Sequence, residues 1–137
     1  MSYLVDLTPL AERDYNTLHR KAEKYLKNGG SEDPLVLTFD AVEQALQTIL
    51  VEEPERGLRL AGIVSYLYTF PAAHADILYR IRESRSRVTV ISIDEQIPGL
   101  WKTIDDELEK GNMSYLMMIL GIKPRLNQIE LTDDVVM

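Results

Sequence analysis

The sequence predicts an α+β fold, with about five or six helices packed around a small mixed sheet in a single compact domain. Three observations carry this reading. Residues 58–70 (LRLAGIVSYLYTF) hold one charge, Arg59, and are apolar on nearly every side of a helical wheel. A helix of that kind must be surrounded by protein. Residues 87–93 (RVTVISI) are β-branched, with Val88 and Val90 on one face and Thr89, Ile91 and Ile93 on the other, the pattern of a strand covered on both sides. At 137 residues the chain has the size of one domain and can bury a substantial core without staples.

In chain order, residues 4–7 form a short extended lead. Thr8 then Pro9 start a helix, a capping hydroxyl followed by a residue suited to the first helical position. This helix runs to about Lys27, with Ala11, Tyr15, Leu18, Ala22, Tyr25 and Leu26 inward and Arg13, Arg20, Lys21, Lys24 and Lys27 outward. Asn28-Gly29-Gly30 ends it, and residues 29–34 (GGSEDP) form a loop or hinge. Residues 35–39 read as an apolar strand. Asp40 with Glu43 has the form of a capping box for a second helix over 41–51, whose inward stripe is Val42, Ala45, Leu46, Ile49 and Leu50.

Pro54 restarts the chain into a central helix over 58–70. Pro71, with no N–H to donate, breaks that helix and opens another over 72–83, on which Ala73, Ile77 and Ile81 share a face and Asp76 pairs with Arg80 at i,i+4. After the strand at 87–93, the acidic turn 94–96 leads through Pro98 to an amphipathic helix ending near Lys110, with Ile97, Leu100, Trp101, Ile104 and Leu108 on its face. Residues 113–122 (MSYLMMILGI) read as a further helix and 128–131 as an edge strand. The globular domain is expected to cover 1–131 and an acidic tail 132–137.

The absence of cysteine excludes a disulfide framework, a thiolate zinc site and a cysteine nucleophile. The first residues lack the basic and apolar regions of a secretory signal, and no segment reads as long enough to cross a membrane. A cytoplasmic protein is expected, in the host cytoplasm if viral. A net charge of −7 repels phosphate, which disfavours general adhesion to nucleic acid and predicts no membrane association.

The most distinctive polar feature is Arg80, Arg82, Arg85 and Arg87. Two predicted helices followed by a strand give the coarse order of a winged helix-turn-helix. The early positions of the second helix are Ala72, Ala73, His74, Ala75 and Asp76, however, which suit a phosphate clamp better than base reading. Arg20 and Lys24 on the first helix could join such a clamp. The acids Asp105, Asp106, Glu107 and Glu109 point apart on a helix and lack a looped calcium pattern, so they read as a solvated face.

His19 and His74 are the only imidazoles, and His74 does not meet Asp76 at helical spacing. Ser65 and Ser92 have no nucleophile-elbow context, and there is no Walker loop or dinucleotide fingerprint. Met113, Tyr115, Met117 and Met118 offer an adaptable docking surface. With no catalytic pattern, metal set or cofactor loop, the sequence reads as a non-enzymatic protein–protein interaction protein: a regulator, inhibitor, chaperone or assembly factor, cellular or a viral accessory. Its expected partner is another protein, and a homo-oligomer is expected. The alternative is a nucleic-acid-associated protein holding phosphates through the arginine cluster; the third reading is a small carboxylate- or His-dependent enzyme.

Overall fold

The computed structural model describes residues 2–30, 32–62, 65–96, 100–112 and 114. The elements expected over 115–122, 128–131 and 132–137, and the side chains of Met113, Tyr115, Met117 and Met118, lie outside them.

Strand β1 (Leu4–Leu7) leads into helix α1 (Pro9–Lys27), and the helix begins and ends where its chemistry predicts. The Thr8 hydroxyl accepts the Ala11 N–H at 3.1 Å and donates to the Ile91 carbonyl at 2.9 Å. One side chain therefore caps the helix and ties its start to the sheet. Lys24 and Lys27 occupy the last turn, and Gly29, at φ +79°, turns the chain away.

The strand expected at 35–39 is instead the start of a helix. Asp33 caps it, its carboxylate accepting the Leu35 N–H at 2.9 Å, and Pro34 takes the first position. Helix α2 is α-helical over Pro34–Gln44, π-helical over Ala45–Ile49 and α-helical again over Leu50–Glu52. A short apolar run cannot by itself distinguish strand from helix; the buried positions Val36, Val42, Ala45 and Leu50 follow helical spacing. At 19 residues α2 is long and apolar enough to cross a bilayer by length and composition, contrary to the expectation that no segment would be. Its Val42, Ala45 and Leu50 are spent on the core beneath the sheet.

Among the described residues neither the central helix expected over 58–70 nor the helix over 72–83 forms. In their place stand β2 (Leu58–Arg59), β3 (Leu67–Ala72) and β4 (Ala75–Arg82), followed by a tight turn at Glu83–Arg85 and by β5 (Arg87–Glu95). The mixed sheet has the order β1-β5-β4-β3-β2, with β1 parallel to β5 and the other neighbours antiparallel. A strand buried on both faces is apolar throughout, as a surrounded helix is, so residue type alone misleads here.

Pro71 fits because β2 pairs with β3 only at Tyr68 and Thr69, so its missing N–H falls where no strand requires it. Ile77, Tyr79, Val88, Val90 and Ile93 face α1 and α2 in one core with Ala11, Val42 and Leu50. A register shift at Leu78/Tyr79 lets Ile93 join Val88 and Val90, which the expected alternation had placed apart. Among the described residues there are thus three helices and five strands where five or six helices and a small sheet were expected.

The third helix is α3 (Leu100–Glu109). The chain divides into two units: the first holds the sheet with α1 and α2, and the second holds α3 with Ala61 and Gly62. Within the second unit the Asp105 carboxylate accepts the Ala61 N–H at 2.8 Å, which gives one member of the acidic run a structural task.

Candidate functional site

Strand pairing sorts the six basic residues singled out in the sequence. Arg80 and Arg82 alternate on β4, so both project from the face away from α1 and α2. Arg82 is in register with Arg87 on β5, and Arg80 with Thr89 on one side and Leu67 on the other. Arg85 is exposed in the turn between the strands. The structure therefore brings Arg80, Arg82, Arg85 and Arg87 to one end of the sheet, though on strands and a turn instead of at a helix end.

Arg20 and Lys24 are exposed on α1, which packs on the opposite face. They do not join the other four. The helix expected to bring Asp76 and Arg80 together at i,i+4 is replaced by β4, along which four residues span roughly 13 Å.

The four arginines differ in reach. Arg80 is 1% exposed, alongside the buried Leu67, Leu78, Thr69 and Ser92. A guanidinium stays charged and is costly to enclose, so Arg80 serves the interior of this face. Arg82 and Arg87 are half-buried, and Arg87 meets the Asp6 carboxylate at 3.4 Å. The accessible basic edge is thus Arg82, Arg85 and Arg87.

A second feature had no local signature in the sequence. At the other end of the sheet, α1, the first turns of α2, the β3–β4 hairpin turn and the end of β5 enclose a cleft of about 570 Å³. Leu18, Leu35, Ala75 and Ile93 supply its apolar lining, and Asp14, Lys21, His74, Asp94, Glu95 and Gln96 its polar groups. The hairpin turn is held from both sides. The His74 N–H donates to the Thr38 hydroxyl at 3.3 Å, and its carbonyl accepts the Gln96 N–H at 2.7 Å. Asp14 accepts the Ile93 N–H at 3.1 Å, and the Ser92 hydroxyl donates to Asp94 at 2.9 Å. His74, which was not expected to meet Asp76, stands exposed at the rim of this cleft.

No family model and no curated protein sequence matches the chain. Solved structures resemble it in fold. A chain of the toxin–antitoxin complex RelBE2 from Mycobacterium tuberculosis is 22% identical, with 70% of this chain and 93% of that one covered and a TM-score of 0.53. A chain of the chromosomal ParDE system from P. aeruginosa is 16% identical, with 70% and 98% covered and a TM-score of 0.48. A mutant of the E. coli toxin RelE in the free state is 15% identical, with 78% and 97% covered and a TM-score of 0.39.

The first of these shows likeness of fold to a chain of the RelBE2 complex. The expectation that the protein is not an enzyme rested on missing motifs and is withdrawn, since the fold is shared with a chain of a toxin–antitoxin complex and a fold does not exclude catalysis. The comparisons lend no support to the assembly-factor or viral-accessory readings.

Proposed function

We propose that this chain is the toxin-like half of a two-protein toxin–antitoxin pair, a regulatory protein held by a protein partner. The observation that carries the reading is the fold likeness to RelBE2, which extends over 93% of that chain. The surface that this reading assigns to the target is the arginine edge of Arg82, Arg85 and Arg87. Guanidinium groups suit a phosphate-bearing target, since they bind phosphate oxygens in a planar, bidentate manner. That edge also sustains the nucleic-acid alternative, because strand pairing sets Arg82 and Arg87 side by side.

The test is inducible expression in a bacterial host, scored by growth. Arrest is expected, with relief by Arg82→Ala/Arg87→Ala in a variant that melts like the parent. A co-purifying protein that forms a complex of fixed stoichiometry and restores growth when co-expressed identifies the partner. Unimpaired growth at high soluble expression, with no salt-sensitive binding of an RNA or DNA fragment by the purified chain, overturns the reading.

A further inference from the structure

The outward face of α1 has no part in the toxin reading. Ala11 and Ala22 are buried and mark the side of the helix that meets the core. With about 3.6 residues per turn, Arg13, Arg20, Lys24 and Lys27 fall opposite them, within a sector of roughly 60° and along roughly 21 Å of helix. All four are exposed. The chain carries 22 acidic and 15 basic residues, yet no acid of α1 lies in that sector. Glu12 and Glu23 flank it on one side, and Asp14 is turned to the Ile93 N–H.

The Arg20 guanidinium donates to the Thr17 hydroxyl at 3.4 Å, and among the described residues none of the four cations is in an ion pair. The helix dipole accounts for Lys24 and Lys27, which lie in the last turn. It does not account for Arg13 or Arg20. Arg20 and Lys24, at i,i+4, set like charges side by side, which destabilises a helix. The stripe therefore opposes the stability of the helix that carries it, and a partner bringing negative charge removes that opposition.

The composition of the face selects the kind of partner. Protein interfaces centre on apolar and aromatic side chains and are poor in lysine. Between the cations stand only polar residues, Asn16 and Thr17, while the exposed Tyr25 and Leu26 lie on the half of the helix turned toward Ala22. A phosphate backbone asks for closely spaced cations and no apolar centre. We propose that the outward face of α1 is a docking surface for a nucleic-acid phosphate backbone, held by Arg13, Arg20, Lys24 and Lys27. The net charge of −7 opposes such binding at long range, so the contact is confined to this face and is strongest at low salt. The backbone has two sources, a single strand and a duplex, and the probes below separate them.

The experiment is an amide-resolved NMR titration of the full chain at several salt concentrations. The probes are a short single-stranded oligonucleotide, a duplex of the same length and a polyglutamate of matched charge. Saturable shifts centred on the amides of Arg13, Asn16, Arg20 and Lys24 are expected with one or both nucleic acids. The tighter of the two identifies the form of backbone. Four phosphate contacts predict that log K falls with log salt at a slope of about −3. Arg13→Gln/Arg20→Gln should bring that slope to about half and weaken binding about tenfold at low salt. Arg56→Gln/Lys110→Gln, which removes the same charge elsewhere, should leave the slope unchanged.

Equal or tighter binding of polyglutamate, a slope that Arg13→Gln/Arg20→Gln does not alter, or the absence of saturable shifts on α1 at low salt overturns the proposal. The inference does not rest on the toxin reading. Shifts on α1 should persist in Arg82→Ala/Arg87→Ala, the variant whose growth phenotype tests that reading, so the failure of one is distinguishable from the failure of the other.

Discussion

Arg82 stands directly opposite Arg87 across the β4–β5 ladder, and the Asp6 carboxylate on β1 takes the Arg87 guanidinium at 3.4 Å. Like charges in register oppose pairing, so the acid on the third strand offsets a repulsion built into the other two. Both partners of the ion pair are about two-fifths exposed, and the effect is correspondingly modest. Asp6→Asn should lower stability by about 0.5 kcal/mol at low ionic strength, and the loss should shrink as salt screens the remaining repulsion. Urea midpoints at two salt concentrations measure it. A loss that ignores salt would mean that Asp6 acts through packing and not through charge.

Ala73 carries strain in the hairpin turn. The pair Ala72–Ala75 leaves Ala73-His74 as a two-residue loop, with Ala73 at φ +55°. A left-handed backbone costs an L-residue about 1–2 kcal/mol, and glycine is free of that penalty but loses more entropy on folding. Ala73→Gly should therefore raise stability by about 0.5 kcal/mol net. The observable is a higher urea midpoint at unchanged denaturant slope. A lower midpoint would show that the Ala73 methyl makes a contact worth more than the strain.

That same turn explains why half of the fold was illegible. Hairpin turns announce themselves through glycine, asparagine or aspartate, and Ala73-His74 contains none. Without a turn to divide it, the stretch from Leu58 to Arg82 read as two helices. The ends of α1 were legible because they are local chemistry: Thr8-Pro9 at one end and Asn28-Gly29 at the other. β5 was legible from its β-branched run, although the register shift that regroups Ile93 was not.

Asp40 and Glu43 diverted the start of α2 from Asp33, and Glu43 in fact accepts the Tyr15 hydroxyl from α1. The arginines were visible as a group, but their common face depends on the period of two that β4 imposes. The cleft joins residues from Asp14 to Gln96 and had no local signature at all.

Tyrosine hydroxyls give the protein an alkaline limb. A hydrogen bond to the Glu83 carboxylate, aided by desolvation, pushes Tyr3 up to about 12 from 10.0. Desolvation, then the bond to Glu43, pushes Tyr15 up to about 12 from 10.0. The folded-state values are raised, so the stabilisation is fully present below the unfolded value and is lost as pH rises from about 10 to about 12. Thermal midpoints should fall across that window, and Tyr3→Phe/Tyr15→Phe should flatten the fall while lowering the plateau below it. An equally steep limb in the double variant would assign it to other groups, Tyr79 first, since burial raises that hydroxyl further still.

Gly57 is required by a close approach, since its φ of −73° is open to any residue. A Cβ there would collide with the Tyr79 hydroxyl and the Thr69 carbonyl oxygen. Tyr79 is fully enclosed, and its hydroxyl donates to the Pro54 carbonyl, so it cannot swing aside without losing that bond. Gly57→Ala should cost about 2–3 kcal/mol by overpacking, and Tyr79→Phe about 1 kcal/mol for the lost hydrogen bond. The double variant removes one of the two obstructions, so its loss should fall short of the sum of the single losses. Denaturant midpoints of the four proteins decide the point. Strict additivity would place the whole collision on the Thr69 carbonyl and leave the Tyr79 hydroxyl with no part in excluding a side chain at position 57.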